Sequence, residues 1–105
     1  MPKPKTRSIP KPETYSMPKT SVVPPYRVIL HNDDVTPMDF VADTLVRFFI
    51  SDRHHAIEIM MRAHNDGMAI VAFMPLEYAE SKVQGAHAHA RANGYPLTFS
   101  VERAD

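Results

Sequence analysis

The sequence predicts a small α/β domain of the α+β two-layer kind: a three-stranded antiparallel sheet covered by three helices, in the order β-α-α-β-α-β, behind a proline-rich tail. Three observations predict it. Short apolar runs at Tyr26–His31, Met68–Met74 and Leu97–Val101 have the length and composition of strands. The segments between them repeat apolar residues at spacings of three and four. Seven of the ten prolines fall in the first 25 residues, where helix hydrogen bonding cannot be sustained. With 105 residues, 44% of them hydrophobic, the chain can build one modest core and not two.

Residues 1–25 therefore read as a disordered or extended extension, and 26–105 as the folded domain. The extension carries Lys3, Lys5, Arg7, Lys11 and Lys19 against Glu13, a net +4, which leaves −4 on the remainder of a chain of net charge zero. Pro24-Pro25 marks where the first strand can begin. Thr36-Pro37-Met38-Asp39 then has a helix-start signature, with Thr36 as N-cap, Pro37 at the first helical position and Asp39 completing a short capping box. Met38, Val41, Leu45 and Phe48, widened by Phe49, form the apolar stripe of a helix of about three turns. Ser51-Asp52 starts a second helix, whose apolar members Ala56, Ile57, Met60 and Met61 lead to His64. Gly67 ends it in the left-handed conformation that glycine accepts. After the second strand, Leu76, Ala79, Val83, Ala86 and Ala90 mark a third helix, stopped by Asn93-Gly94 and Pro96; the alternating run from Leu97 closes the sheet.

Composition narrows the function. Five scattered basic residues in the tail read as a solubilising or partner-seeking arm rather than a nucleic-acid site. No apolar run is long enough to span a membrane, and the N-terminus lacks a secretory hydrophobic segment. The chain has no cysteine, which excludes disulfides, thiolate nucleophiles and Cys-based zinc sites and fits a reducing compartment. A metal or catalytic centre among the six histidines finds no support either. His54 and His55 point apart on a helix, His87 and His89 are two apart, and no acid/base pair is evident. Neither metal nor cofactor is expected.

The stretch His31-Asn32-Asp33-Asp34-Val35-Thr36-Pro37-Met38 places an amide and two carboxylates at the rim where a strand gives way to a helix. Asp34 suits a capping role at that position. For Asn32 and Asp33 the local demand looks met by Thr36, Pro37 and Asp39, so their acceptors look free for a cationic donor. Met60 and His64 share a helix face, and Met38 begins the preceding helix, so methionines line one place and acceptors sit beside it. An apolar hole rimmed by acceptors suits a bulky side chain attached to an amine.

The segments "NDDVTPMDFV", "MMRAH" followed by Gly67, "AESKV" and "GYPLTFSVE" resemble, in order and separation, those of the ClpS family, across residues 26 to 103. That family comprises adaptors of the bacterial and plastid N-degron pathway. They bind proteins beginning with Leu, Phe, Tyr or Trp and pass them to the N-domain of a AAA+ unfoldase, ClpA or ClpC, for degradation by ClpP. The resemblance implies that Asn32, Asp33 and His64 receive the substrate α-amino group, with Asp34 a further candidate. It implies a side-chain pocket of Leu30, Thr36, Met38, Val41, Met60, Ala63 and Leu97, with Met38 as gate against β-branched residues. It places Glu77 and Lys82 at the unfoldase and gives the tail a part in delivery. A cytoplasmic monomer without enzymatic activity is expected, bacterial rather than from a plastid stroma. Val35 where the family often has Tyr, Ala63 where it often has Val, and Pro75 ahead of the third helix are departures. The two-layer shape also resembles the C-terminal domain of the ribosomal stalk protein, a protein-interaction module, but that likeness leaves the acceptor cluster and His64 unexplained.

Overall fold

The computed structural model describes residues 25–105. The extension expected for residues 1–25 lies outside them except for Pro25. The elements follow in the expected order: β1 (Tyr26–His31), α1 (Met38–Phe48), α2 (Arg53–Asp66), β2 (Met68–Met74), α3 (Leu76–Ala92) and β3 (Thr98–Arg103). β1 is the central strand, antiparallel to β2 on one side and β3 on the other. Its Val28 and Leu30 belong to the buried core, with Leu45 of α1, Ile59 of α2, Val71 of β2, Val83 of α3 and Phe99 of β3. Each such side chain removed from water contributes about 1.5–3 kcal/mol of transfer free energy, which is what fastens the helices to one face of the sheet.

The β1–β2 register shifts between Val28 and Ile29, since Val28 faces Ala72 while Ile29 faces Ile70. Val71 is thereby an extra residue in β2, a bulge that shifts the alternation: Ala69 and Val71 are buried on one face, but Phe73, two residues further on, is exposed. The single buried hydroxyl of α1, on Thr44, donates to the Phe40 carbonyl at 2.8 Å. Gly85 brings α3 close to α1: a Cβ there would stand 2.8 Å from Cε1 of Phe48.

Two local expectations are corrected. Thr36 is not the N-cap of α1. Pro37 is, in extended geometry (φ −62, ψ 144) and with no side-chain cap, and the helix begins at Met38. Pro75 starts α3 in the same way. A proline cannot supply a side-chain acceptor, but its own carbonyl closes the first turn, accepting from Val41 N at 3.1 Å and, in α3, from Ala79 N at 3.0 Å. Of the apolar members expected for α2, Ile57 and Met61 are exposed, and Ile59 and Ala63 join Ala56 and Met60 on the buried face. Asp52 caps that helix, accepting from His54 N at 3.0 Å.

Candidate functional site

The site is built at the end of the sheet where β1 runs out. Asn32 N–H donates to the Gly67 carbonyl at 3.0 Å, and Gly67 N–H donates to the Ala63 carbonyl at 2.8 Å. The backbone of one residue thus ties the acceptor segment after β1 to the C-terminal end of α2, the half of that helix which carries Met60, Ala63 and His64. The tie depends on Gly67 holding φ 92, a conformation that side-chain-bearing residues rarely adopt.

Asp33 then folds the loop back. Its Oδ1 accepts from Val35 N at 2.8 Å and Thr36 N at 2.7 Å, and its Oδ2 accepts from the Thr36 hydroxyl at 2.9 Å. Asp33 is therefore not surplus to local needs, as the motif had suggested; it is the residue that makes the turn. Partial burial alone would raise its pKa. The hydrogen bonds from Thr36 and Val35, with the positive Arg91 guanidinium, outweigh that and hold the carboxyl below its usual value. A carboxylate has about four acceptor positions, so one remains on Oδ2.

Around this turn lies a half-open cleft of about 330 Å³. Leu30, Ala63 and Leu97 form its floor, each no more than 2% exposed. Thr36, Val41 and Met60, at 8% each, form the walls. Asn32, Asp34, Met38 and His64 stand exposed at its rim, and Asp33 is half-buried beneath them. Every residue expected for the amine or the pocket lines this one cleft, whereas Glu77 and Lys82 do not: both are exposed on α3, Glu77 in its first turn. The sequence reading missed His31, Val35 and Pro37, which also line it. His31 Nε2 is bonded to the Ser100 hydroxyl at 2.6 Å. It missed Arg91 as well, which donates from α3 to the Tyr95 and Leu97 carbonyls at 2.9 and 2.7 Å. The available signal was an arginine in the last turn of a helix, ahead of Asn-Gly and Pro.

Chemically the arrangement is an apolar floor sized for one bulky side chain, with acceptors and an imidazole on one side of the mouth. Among the described residues no three His, Asp or Glu side chains gather as metal ligands would.

Comparison with known proteins agrees with this architecture. Residues 22–100 match the family model described as ATP-dependent Clp protease adaptor protein ClpS. The ATP-dependent Clp protease adapter protein ClpS of Vibrio cholerae serotype O1 is 44% identical over 87 residues, 81% of this chain and 82% of the relative. That of Oleidesulfovibrio alaskensis is 46% identical over 77 residues, 73% of this chain and 74% of the relative. The solved structure of Agrobacterium tumefaciens ClpS2 bound to L-phenylalaninamide superposes with a TM-score of 0.73 at 35% identity, covering 76% of this chain and 96% of that one. The chain belongs to the ClpS family of ATP-dependent Clp protease adaptors.

Proposed function

We propose that the cleft receives the free N-terminus of a protein beginning with Leu, Phe, Tyr or Trp, and that the chain delivers that protein to a AAA+ unfoldase, ClpA or ClpC, for degradation by ClpP. The observation that carries this reading is the convergence on a single cleft of the apolar floor and the acceptor rim. An α-ammonium, with a pKa of about 8, offers three donors at neutral pH. Asn32, the remaining Oδ2 position of Asp33 and an imidazole nitrogen of His64 are three acceptors for it, with Asp34 beside them. L-phenylalaninamide, bound by the ClpS2 relative, has a free α-amino group, an aromatic side chain and its carboxyl converted to an amide, so it has the features of a chain's first residue.

The adaptor itself performs no bond chemistry in this reading. It acts as a monomer in the bacterial cytoplasm, with Glu77 and Lys82 of α3 facing the unfoldase N-domain and the extension of residues 1–25 serving delivery. Binding of peptides that differ only at residue one, each free and N-acetylated, tests it. Free Leu-, Phe-, Tyr- and Trp-initiated peptides should bind, and acetylation should weaken a Phe peptide by at least about 1.5–3 kcal/mol, the worth of charge-assisted hydrogen bonds. Equal binding of free and acetylated peptides rejects the reading. For delivery, Glu77→Ala combined with Lys82→Ala should slow ClpP-dependent degradation of a Phe-initiated reporter while leaving peptide binding intact.

A further inference from the structure

We propose that Arg91, which takes no part in the cleft lining, is the positioning residue for the cleft's Leu97 floor, holding the Tyr95–Leu97 segment to the end of α3 through Nη1. The inference rests on the cleft being the peptide site. Tyr95-Pro96-Leu97 belongs to neither α3 nor β3. Before it the chain turns at Gly94, with φ 80, and Tyr95 N–H still reaches back to the Ala90 carbonyl at 2.9 Å. Pro96 then has no N–H to offer, so the backbone has one fewer means of fixing the path to Leu97.

Arg91 supplies what is missing: one guanidinium nitrogen takes two carbonyls, at 2.9 and 2.7 Å, on either side of Pro96. Arg91 and its bond to Tyr95 are exposed and the bond to Leu97 is partly buried, so in its absence water replaces the first more readily than the second. Its effect is therefore on where Leu97 stands more than on whether the protein folds. The same charge faces two further groups. It helps to hold Asp33 ionised on the amine side of the cleft, and it helps to keep His87, on α3, neutral.

The test uses the full chain with Arg91→Met and Arg91→Lys. Arg91→Met should weaken binding of Leu- and Phe-initiated peptides alike by about three- to tenfold, a modest loss because one bond is exposed and the other only partly buried. It should increase the mobility of the Leu97 methyl groups in NMR relaxation, and it should move the titration midpoints of both Asp33 and His87 to higher pH. Arg91→Lys should return the midpoints, because the charge is restored, but leave Leu97 mobile, because a shorter, freely rotating ammonium does not hold the fixed directions in which the planar guanidinium aims its two Nη1 hydrogens. Unchanged Leu97 mobility in Arg91→Met overturns the proposal, as does an affinity loss that Arg91→Lys fully restores while Leu97 stays mobile, since the charge and not the position of Leu97 would then set the affinity. Should the wild-type protein bind no N-terminal peptide, the proposed function falls, while the Leu97 and titration measurements still decide the role of Arg91. If Arg91→Met does not fold, Arg91→Gln, which keeps a donor without the charge, is read by the same criteria.

Discussion

Three of the four or so acceptor positions on the Asp33 carboxylate are filled from its own loop, which leaves one on a residue that lines the cleft. Fold and ligand therefore draw on the same side chain, and two substitutions separate them. Asp33→Ala loses all three bonds and should cost about 0.5–1 kcal/mol of stability, the lower part of the range for a lost cap because the loop is partly in water. Asp33→Asn keeps an oxygen for Val35 and Thr36 while removing the charge. It should lower the thermal midpoint less than Asp33→Ala does and still weaken a free-amine peptide; unchanged affinity would make Asp33 a loop former alone. Because its folded pKa is lowered, the stability Asp33 supplies is complete at neutral pH. It is lost only as pH falls below about 4, the unfolded value, and through the folded one. Met38 is a simpler case. At 43% exposed on the first turn of α1 it can meet a substrate side chain at the cleft mouth. Met38→Ala should narrow the preference for Leu- over Ile-initiated peptides by about 1–3 kcal/mol, the scale on which a pocket senses a methyl group. An unchanged ratio on measuring Leu, Ile, Phe and Val peptides would return Met38 to a packing role.

Between elements, α3 comes close to α1 at Gly85. Alanine there gains about 1 kcal/mol of helix propensity but sets its Cβ 2.8 Å from the Phe48 ring. Gly85→Ala should therefore be neutral or destabilising in the wild type and stabilising by about 1 kcal/mol once Phe48→Ala has removed the ring, a reversal of sign that a double-mutant cycle by chemical denaturation would register. The elements themselves were legible in the sequence because their signals are local: apolar runs for β1 and β2, a three-four repeat for α3, Gly67 and Gly94 as stops. What was not legible depends on partners distant in the chain. Ile57 and Met61 have the chemistry of a core stripe, yet the direction from which the sheet approaches α2 selects Ile59 and Ala63. The bulge at Val71 reflects the fit of β2 to β1. The cleft's apolar members and acceptors were legible through motif resemblance. Arg91 was not, because its acceptors are backbone carbonyls whose position exists only after the Gly94–Pro96 turn has formed.

At the scale of the whole molecule, the sheet has one face covered by helices and two outer strands, β2 and β3. His87 lies against the second of these: its Nε2 accepts from Phe99 N–H at 2.9 Å, a backbone donor that β1 does not use. Burial, and then the Arg91 guanidinium, push the His87 pKa below the ordinary imidazole value. The sign follows directly. Between the unfolded pKa, about 6.5, and the lower folded one, the unfolded chain binds more protons, so stability is full above about pH 6.5 and declines as the pH falls through that window. Denaturation midpoints at pH 7.5 and 5.5 should show the decline, and His87→Gln, whose amide oxygen accepts without titrating, should flatten it. The consequence reaches past the stability of one molecule. Protonated Nε2 has no lone pair for Phe99, so acid uncovers a hydrogen-bond donor along an outer strand, while the bulge at Val71 continues to interrupt the other. An uncovered strand edge is a template for a strand from another chain. Self-association on acidification should therefore begin at β3, ahead of unfolding, and light scattering at rising protein concentration would detect it.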